Sequence, residues 1–375
     1  MTMEHRKKQV GVEGLNVSYS NWFAKHFLRS TFENQWVIPE PLPRAVASFL
    51  RWYEKRCMRI DLTDIPIDKP IFIISLPRCG SSMLQDILCT HPKLAYTTNI
   101  MDICRSAPCA ADHLRRKFGL NISGERFLKD SVIVDGGTPA DPVATWADLF
   151  GEDYFEISDR QPDIDHLNTE RREAIKTTIR QAIWCHGSAG RRFFCKTPML
   201  LPYLGVLNAL FPDAKFIHLI RDPRQGANSM RKVYRISNER LKEIRSRQGR
   251  PLPEEPFIPY PRLPRIKEYL ERYGADDIRT TASLWNEAID VVDRYRPDVR
   301  HLLEVRYEDI LENPAGKMAE LFAFCELEAP AKDNLAYQEK LQGIGVVHHK
   351  NRYQDFGTIT EICREKMLRY SYRPD

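Results

Sequence analysis

Residues 70–92 read PIFIISLPRCGSSMLQDILCTHP. Ile71 to Ile74 form a continuous apolar run rich in β-branched side chains, which predicts a strand buried on both faces, as in a parallel sheet covered by helices. Pro77 to Gly80 break the run, and SSMLQDIL resumes at helical spacing, so the segment is a strand, a loop and a helix. The loop suits an anion. Gly80 lets the backbone approach closely, the helix start offers free N–H groups, Ser81 and Ser82 add hydroxyl donors, and Arg78 adds charge. Capping of the helix by Ser81 or Ser82, with Gly80 serving only the turn, accounts for the same residues without a ligand. GxxxxGK[ST] is absent and no lysine follows Gly80, which argues against an ordinary ATPase or kinase.

Outward from this segment the same alternation returns. RRFFCK (191–196) and AKFIHLI (214–220) predict strands, each followed by a helical pattern, PYLGVLNALF and RQGANSMRKVYRIS. TASLWNEAIDVVDRY (281–295) predicts a helix, HLLEVRY (301–307) a strand, and Pro314 to Leu327 a helix. Strands alternating with helices imply an α/β fold with a parallel sheet flanked by helices on both faces, whose ligands bind where strands lead into helices. PRAVASFLRWYEKRCMRI (43–60) has helical spacing, so residues 1–65 read as an N-terminal helical extension and 66–375 as a single domain. Residues 235–275 read as a charged, proline-rich section, with PLPEEPFIPYPRLPR (251–265) as a stiffened loop.

The 375 residues are 42% hydrophobic and 29% charged, the mixture of a folded globular protein. Fifty-six basic against 51 acidic residues leave a net charge of +5, without a basic run or helix of the kind nucleic-acid binders carry; an anionic small ligand fits better. The start carries charges without an apolar stretch behind them, no segment has the apolar length of a membrane span, and the expected location is cytoplasmic. That leaves peripheral membrane contact open. Nine cysteines form no CxxC pair, and His348 and His349 are adjacent, so neither a disulfide framework nor a metal site is implied.

A second loop follows the strand KFIHLI: RDPRQGANS, 221–229. Arg221 would stand at the strand's end, and Ser229, eight residues on and inside the next helix, can face the same cleft. A salt-bridged arginine and a helix cap at Asp222 explain the residues equally well without a ligand.

With both loops quoted, the chain resembles the sulfotransferases that use 3′-phosphoadenosine 5′-phosphosulfate. IFIISLPRCGSSMLQDIL looks like that family's P-[RK]-S-G-T-T loop, and FPDAKFIHLIRDPRQGANS like its segment with an Arg followed eight residues later by a Ser. VRYEDILENPAGKMAELFAFCEL (305–327) and HHKNRYQDFGTITE (348–361) resemble its next block and the C-terminal segment of its bacterial members. The resemblance implies a P-loop-like fold and transfer of a sulfuryl group to a hydroxyl of a small-molecule or lipid-like acceptor, without a metal. It implies that Arg78, Gly80, Ser81, Ser82 and the Cys79 N–H hold the 5′-phosphosulfate and that Arg221 and Ser229 hold the 3′-phosphate. Tyr307 would contact the adenine, Lys350 or Arg352 would close over the 3′-phosphate from a C-terminal segment 340–375, and Lys196 would reach the bridging oxygen. Insertions at about 100–190 and 235–275 would form the acceptor side.

Two departures stand out. Cys79 occupies the place of a serine and suits a small filler. Pro198 stands where cytosolic members carry a His in K-T-H, so the general base is not marked. Asp102, in TTNIMD, is the nearest carboxylate to the position of the tyrosylprotein branch's Glu; His91, Asp135 and Asp141 are lesser candidates, and His218 reads as a core residue. The competing readings are a nucleotide kinase-like phosphotransferase and a binding module that keeps the nucleotide site without turnover. Oligomeric state is not legible.

Overall fold

The computed structural model describes residues 17–22, 25, 42–120, 122–125, 133–158, 161–188, 190–249, 251–331, 333–344, 351 and 354–373. The chain divides into two compact units, Met1–Asp61 with Thr97–Ala140, and Leu62–Tyr96 with Asp141–Asp375.

The larger unit is built on five strands: β1 (Ile71–Ile74), β2 (Leu94–Ala95), β3 (Arg192–Lys196), β4 (Lys215–Ile220) and β5 (Leu302–Arg306). They lie in the order β2-β3-β1-β4-β5, and all neighbours are parallel. The apolar run that starts the sequence argument is the central strand, with Phe72, Ile73 and Ile74 wholly buried. Around Phe72 stand Phe193, Phe211, Phe216 and Trp146, ring centroids 5.7 to 6.4 Å away. Burying each such side chain contributes roughly 1.5–3 kcal/mol, so this cluster anchors the sheet.

From β1 the chain moves outward to β2 and β3 on one side, then returns to place β4 and β5 on the other. The end of β1 is therefore the switch point where parallel sheets bind ligands. The helices used below are α1 (Ser81–Leu88), α2 (Val143–Phe150), α3 (Thr169–Cys185), α4 (Leu204–Leu210), α5 (Pro223–Gln248), α6 (Ile266–Tyr273), α7 (Ile278–Tyr295), α8 (Tyr307–Glu312), α9 (Pro314–Phe324), α10 (Leu335–Gln342) and α11 (Phe356–Arg369).

Three boundaries differ from the sequence reading. The section from 235 is not irregular at its start: α5 runs on to Gln248, because NERLKEIRSRQ has neither Pro nor Gly and carries an Arg240–Glu243 pair at 2.7 Å, and Gly249 ends it in the left-handed region. Within the same section α6 forms after the prolines. Tyr307 opens the short helix α8 instead of closing a strand, and α9 stops at Phe324.

The smaller unit holds a three-stranded antiparallel sheet of Val17–Tyr19, Ile122–Glu125 and Ile133–Asp135, with helices Arg44–Cys57, Asn99–Ile103 and Pro108–Phe118. Among the described residues no helix is long and apolar enough to cross a membrane.

Candidate functional site

The first loop leaves β1 and turns tightly. Arg78 has a φ of 70° and Gly80 of 88°, both in the left-handed region that disfavours a side chain. A Cβ on Gly80 would run into the ring of Tyr307. Gly80 is also the N-cap of α1, and no side chain caps that helix, so the capping role that Ser81 or Ser82 could have filled is not taken up. First-turn N–H groups left in this way, with the helix dipole behind them, are the usual cradle for an anion. Ser81 is buried, Ser82 half-buried. Cys79 is buried, and burial is the chief cause that pushes its thiol up to about 12, against the opposing effect of nearby Arg221. At neutral pH it stays protonated and fills space.

The second loop leaves β4 beside the first. Asp222 caps α5 by accepting from Arg224 N–H at 2.9 Å and pairs with the Arg224 guanidinium at 2.7 Å, and Pro223 sits at the first helical position. The cap expected of Asp222 is thus present, but the salt-bridged arginine is Arg224. Arg221 turns the other way. Its NH1 donates to the Arg78 carbonyl at 2.9 Å, its NH2 to Gln225 Oε1 at 2.8 Å, and its guanidinium lies 4.5 Å over the Tyr307 ring. From the other side Arg78 Nε donates to Ser229 Oγ at 2.9 Å. Trp285 Nε1 on α7 donates to the Arg221 carbonyl at 2.9 Å, and Glu308 on α8 accepts from Asp222 N–H at 3.1 Å and from Tyr372 OH at 2.8 Å. Arg78, Gly80, Arg221, Ser229 and Tyr307, drawn from three separate stretches, therefore meet in one place at the carboxyl ends of β1 and β4.

Residues 70–252 match the sequence model described as the sulfotransferase family. This segment is a sulfotransferase segment. Protein-tyrosine sulfotransferase A of Caenorhabditis elegans is 26% identical over 172 residues, which are 45% of this chain and 36% of that protein. The match thus spans little more than a third of that relative's length. The crystal structure of a sulfotransferase from Mycobacterium avium superposes with a TM-score of 0.54 at 14% identity, covering 85% of this chain and 80% of that one, which establishes the shared fold.

The remaining candidates of this sulfotransferase fold are spread more widely. Lys196 ends β3, is 3% exposed, and pairs across the ladder with Ile73, two residues before the first loop begins. Its Nζ bonds Asp141 Oδ2 at 2.9 Å, and Asp141 is the partly exposed member of the pair. Ser75 Oγ and Thr197 Oγ1, just past the ends of β1 and β3, are buried without a hydrogen-bond partner among the described residues. His91 is buried with both ring nitrogens engaged: Nδ1 accepts from Lys93 N–H at 3.2 Å, and Nε2 lies 2.9 Å from the Glu328 carbonyl; burial foremost lowers its pKa. His218 is in the core, its Nδ1 3.0 Å from Glu304 Oε1. Asp102 and Asp135 belong to the smaller unit, Asp102 buried in the helix Asn99–Ile103 and Asp135 closing a turn by accepting from Gly137 N–H at 2.8 Å. Lys350 and Arg352 lie outside the described residues. Trp285, Glu308 and Tyr372 reach this place through contacts between elements far apart in sequence, which no local motif marks, whereas Gln225 bonds Arg221 four residues away within the second loop itself.

Proposed function

We propose that this chain transfers the sulfuryl group of 3′-phosphoadenosine 5′-phosphosulfate to a hydroxyl of a small-molecule or lipid-like acceptor. The observation that carries the proposal is the joining of the two loops by Arg78–Ser229 and Arg221–Arg78, which brings two anion-binding segments together over Tyr307. A nucleotide with phosphates at both ends of its ribose calls for two such segments, and a single phosphate does not. In this reading Arg78, the Cys79 and Gly80 backbone, Ser81 and Ser82 hold the 5′-phosphosulfate, Arg221 and Ser229 the 3′-phosphate, and Tyr307 the adenine. Residues 340–375 would close over the donor, and the insertions at 100–190 and 235–275 would shape the acceptor side.

In the transfer, the acceptor oxygen attacks sulfur, the bond from sulfur to the bridging oxygen breaks, and charge develops on the departing phosphate. Lys196 meets that charge as a fixed cation in a water-poor position, the arrangement by which preorganised electrostatics lower such barriers. The acceptor's proton goes to a carboxylate. Asp141 stands at Lys196 and takes this role in our reading; Asp102, favoured from sequence, is its rival.

The test is release of the desulfated nucleotide from donor in the presence of simple phenols and alcohols, for the wild type and for Lys196→Ala, Asp141→Asn and Asp102→Asn. Lys196→Ala is expected to lower kcat about 100-fold or more, as loss of one transition-state donor does, with the donor's KM little changed. Asp141→Asn should lower kcat while Asp102→Asn leaves it intact. Unchanged turnover in Lys196→Ala would contradict the assignment.

A further inference from the structure

In the smaller unit, the helix Arg44–Cys57 has Leu50 as its buried residue, while Phe49 and Trp52 are 52% and 55% exposed. Lone apolar side chains on a surface need no explanation, but residues three apart on a helix are neighbours. Their ring centroids are 6.0 Å apart, and Tyr53 extends the group at 6.2 Å from Phe49. At about 100° per residue Trp52, Ala45, Arg56 and Phe49 share one arc, and Arg51, Arg44 and Lys55 share the arc beside it. Arg59 follows the helix. The acidic residue of the stretch, Glu54, is turned inward, its Oε2 accepting from Ala110 N–H at 2.9 Å. The face is thus an aromatic strip bordered by cations.

We propose that this helix docks the protein on an anionic lipid surface. Rings at the boundary of headgroups and acyl chains, with Lys and Arg beside them, are the pattern of helices that lie in the plane of a membrane interface. Arg44, Arg51, Lys55 and Arg56 meet lipid phosphates there, and Phe49 and Trp52 enter below them. A second copy of the chain fits the face poorly, because a two-fold contact sets the same cations against one another. The inference does not depend on the donor nucleotide, and it stands whether or not the sulfuryl-transfer reading does.

The experiment is co-sedimentation of the full chain with vesicles of phosphatidylcholine alone and of phosphatidylcholine mixed with phosphatidylserine. Wild type should pellet with the mixed vesicles, weakly with the neutral ones, and less as salt is raised. Lys55→Glu with Arg56→Glu should weaken binding by on the order of fivefold for each charge removed, and reversal should add to that. Phe49→Ser with Trp52→Ser should lower the partition at least tenfold with the melting temperature kept. Three outcomes overturn the proposal. One is a wild type that fails to pellet with the mixed vesicles. The aromatic variant could pellet as well as wild type but melt lower, showing that a segment of this chain covers the face. Or sedimentation velocity could find a dimer that the aromatic variant dissolves, assigning the face to a second copy.

Discussion

At Gly80 the backbone is left-handed and the Tyr307 ring occupies the space a side chain would need. Gly80→Ala is therefore expected to cost about 1–2 kcal/mol from the backbone conformation alone, with the ring clash added, measurable as a shift in urea midpoint. The same variant should bind the desulfated nucleotide more weakly, and removing the ring with Tyr307→Ala in the same chain should recover part of the stability. No recovery would mean that ring and glycine are not coupled. Ser229→Ala removes one Arg78 Nε partner from a part-buried site, and nucleotide affinity should fall about 5- to 10-fold, about 1–1.4 kcal/mol, with the melting temperature lowered by no more than a few degrees. That Arg78, Arg221 and Ser229 come together was expected from sequence because each sits at a fixed step from a strand end, while the anion-binding role given to them is our proposal. Trp285 was not legible, because its bond to the Arg221 carbonyl is a contact across the fold.

Among elements, β5 shows how the sheet is tied to the helices behind it. Glu304 accepts from Tyr370 OH at 2.7 Å and pairs with Arg296 at 2.7 Å and with His218 on β4 at 3.0 Å. Burial alone would raise its carboxyl; the hydrogen bonds from His218, Tyr370 and Arg296 outweigh burial and hold it at about 2, below its ordinary 4.5. A carboxyl depressed on folding contributes stability above its unfolded pKa that is lost as pH falls through the folded one, so this contribution fades between about pH 4.5 and 2. Acid unfolding followed by circular dichroism should show Glu304→Gln less stable than wild type at pH 7 and the two converging toward pH 2. A constant difference across that range would contradict the account. Strands β1, β3, β4 and β5 and the helices α1, α4 and α7 were legible in sequence because their apolar periods are unbroken, whereas the two-residue β2 and the short antiparallel strands of the smaller unit were not. The ends of α5 and α9 and the start of α8 were not, since no Pro or Gly marks 235–248 and α8 begins directly where β5 ends.

For the whole molecule, the parallel sheet followed from the alternation of strands and helices, its strand order with the switch point at β1 is read from the structure, and residues 70–252 match the sulfotransferase family. The acceptor side and the base were not legible, because the residues concerned carry no spacing that fixes them and Pro198 replaces the histidine of the resembling motif. The structure adds the Lys196–Asp141 pair to that question, since it links two segments 55 positions apart. The account rests on one claim, that the two loops form a single site for a nucleotide phosphorylated at both ends. Calorimetric titration with 3′-phosphoadenosine 5′-phosphate, beside ATP with Mg²⁺ and an Arg221→Ala variant, tests it most directly. Binding of the first ligand, absent for ATP and lost in the variant, is the predicted result; a folded protein that binds no 3′-phosphoadenosine 5′-phosphate, or binds it equally well without Arg221, would contradict it.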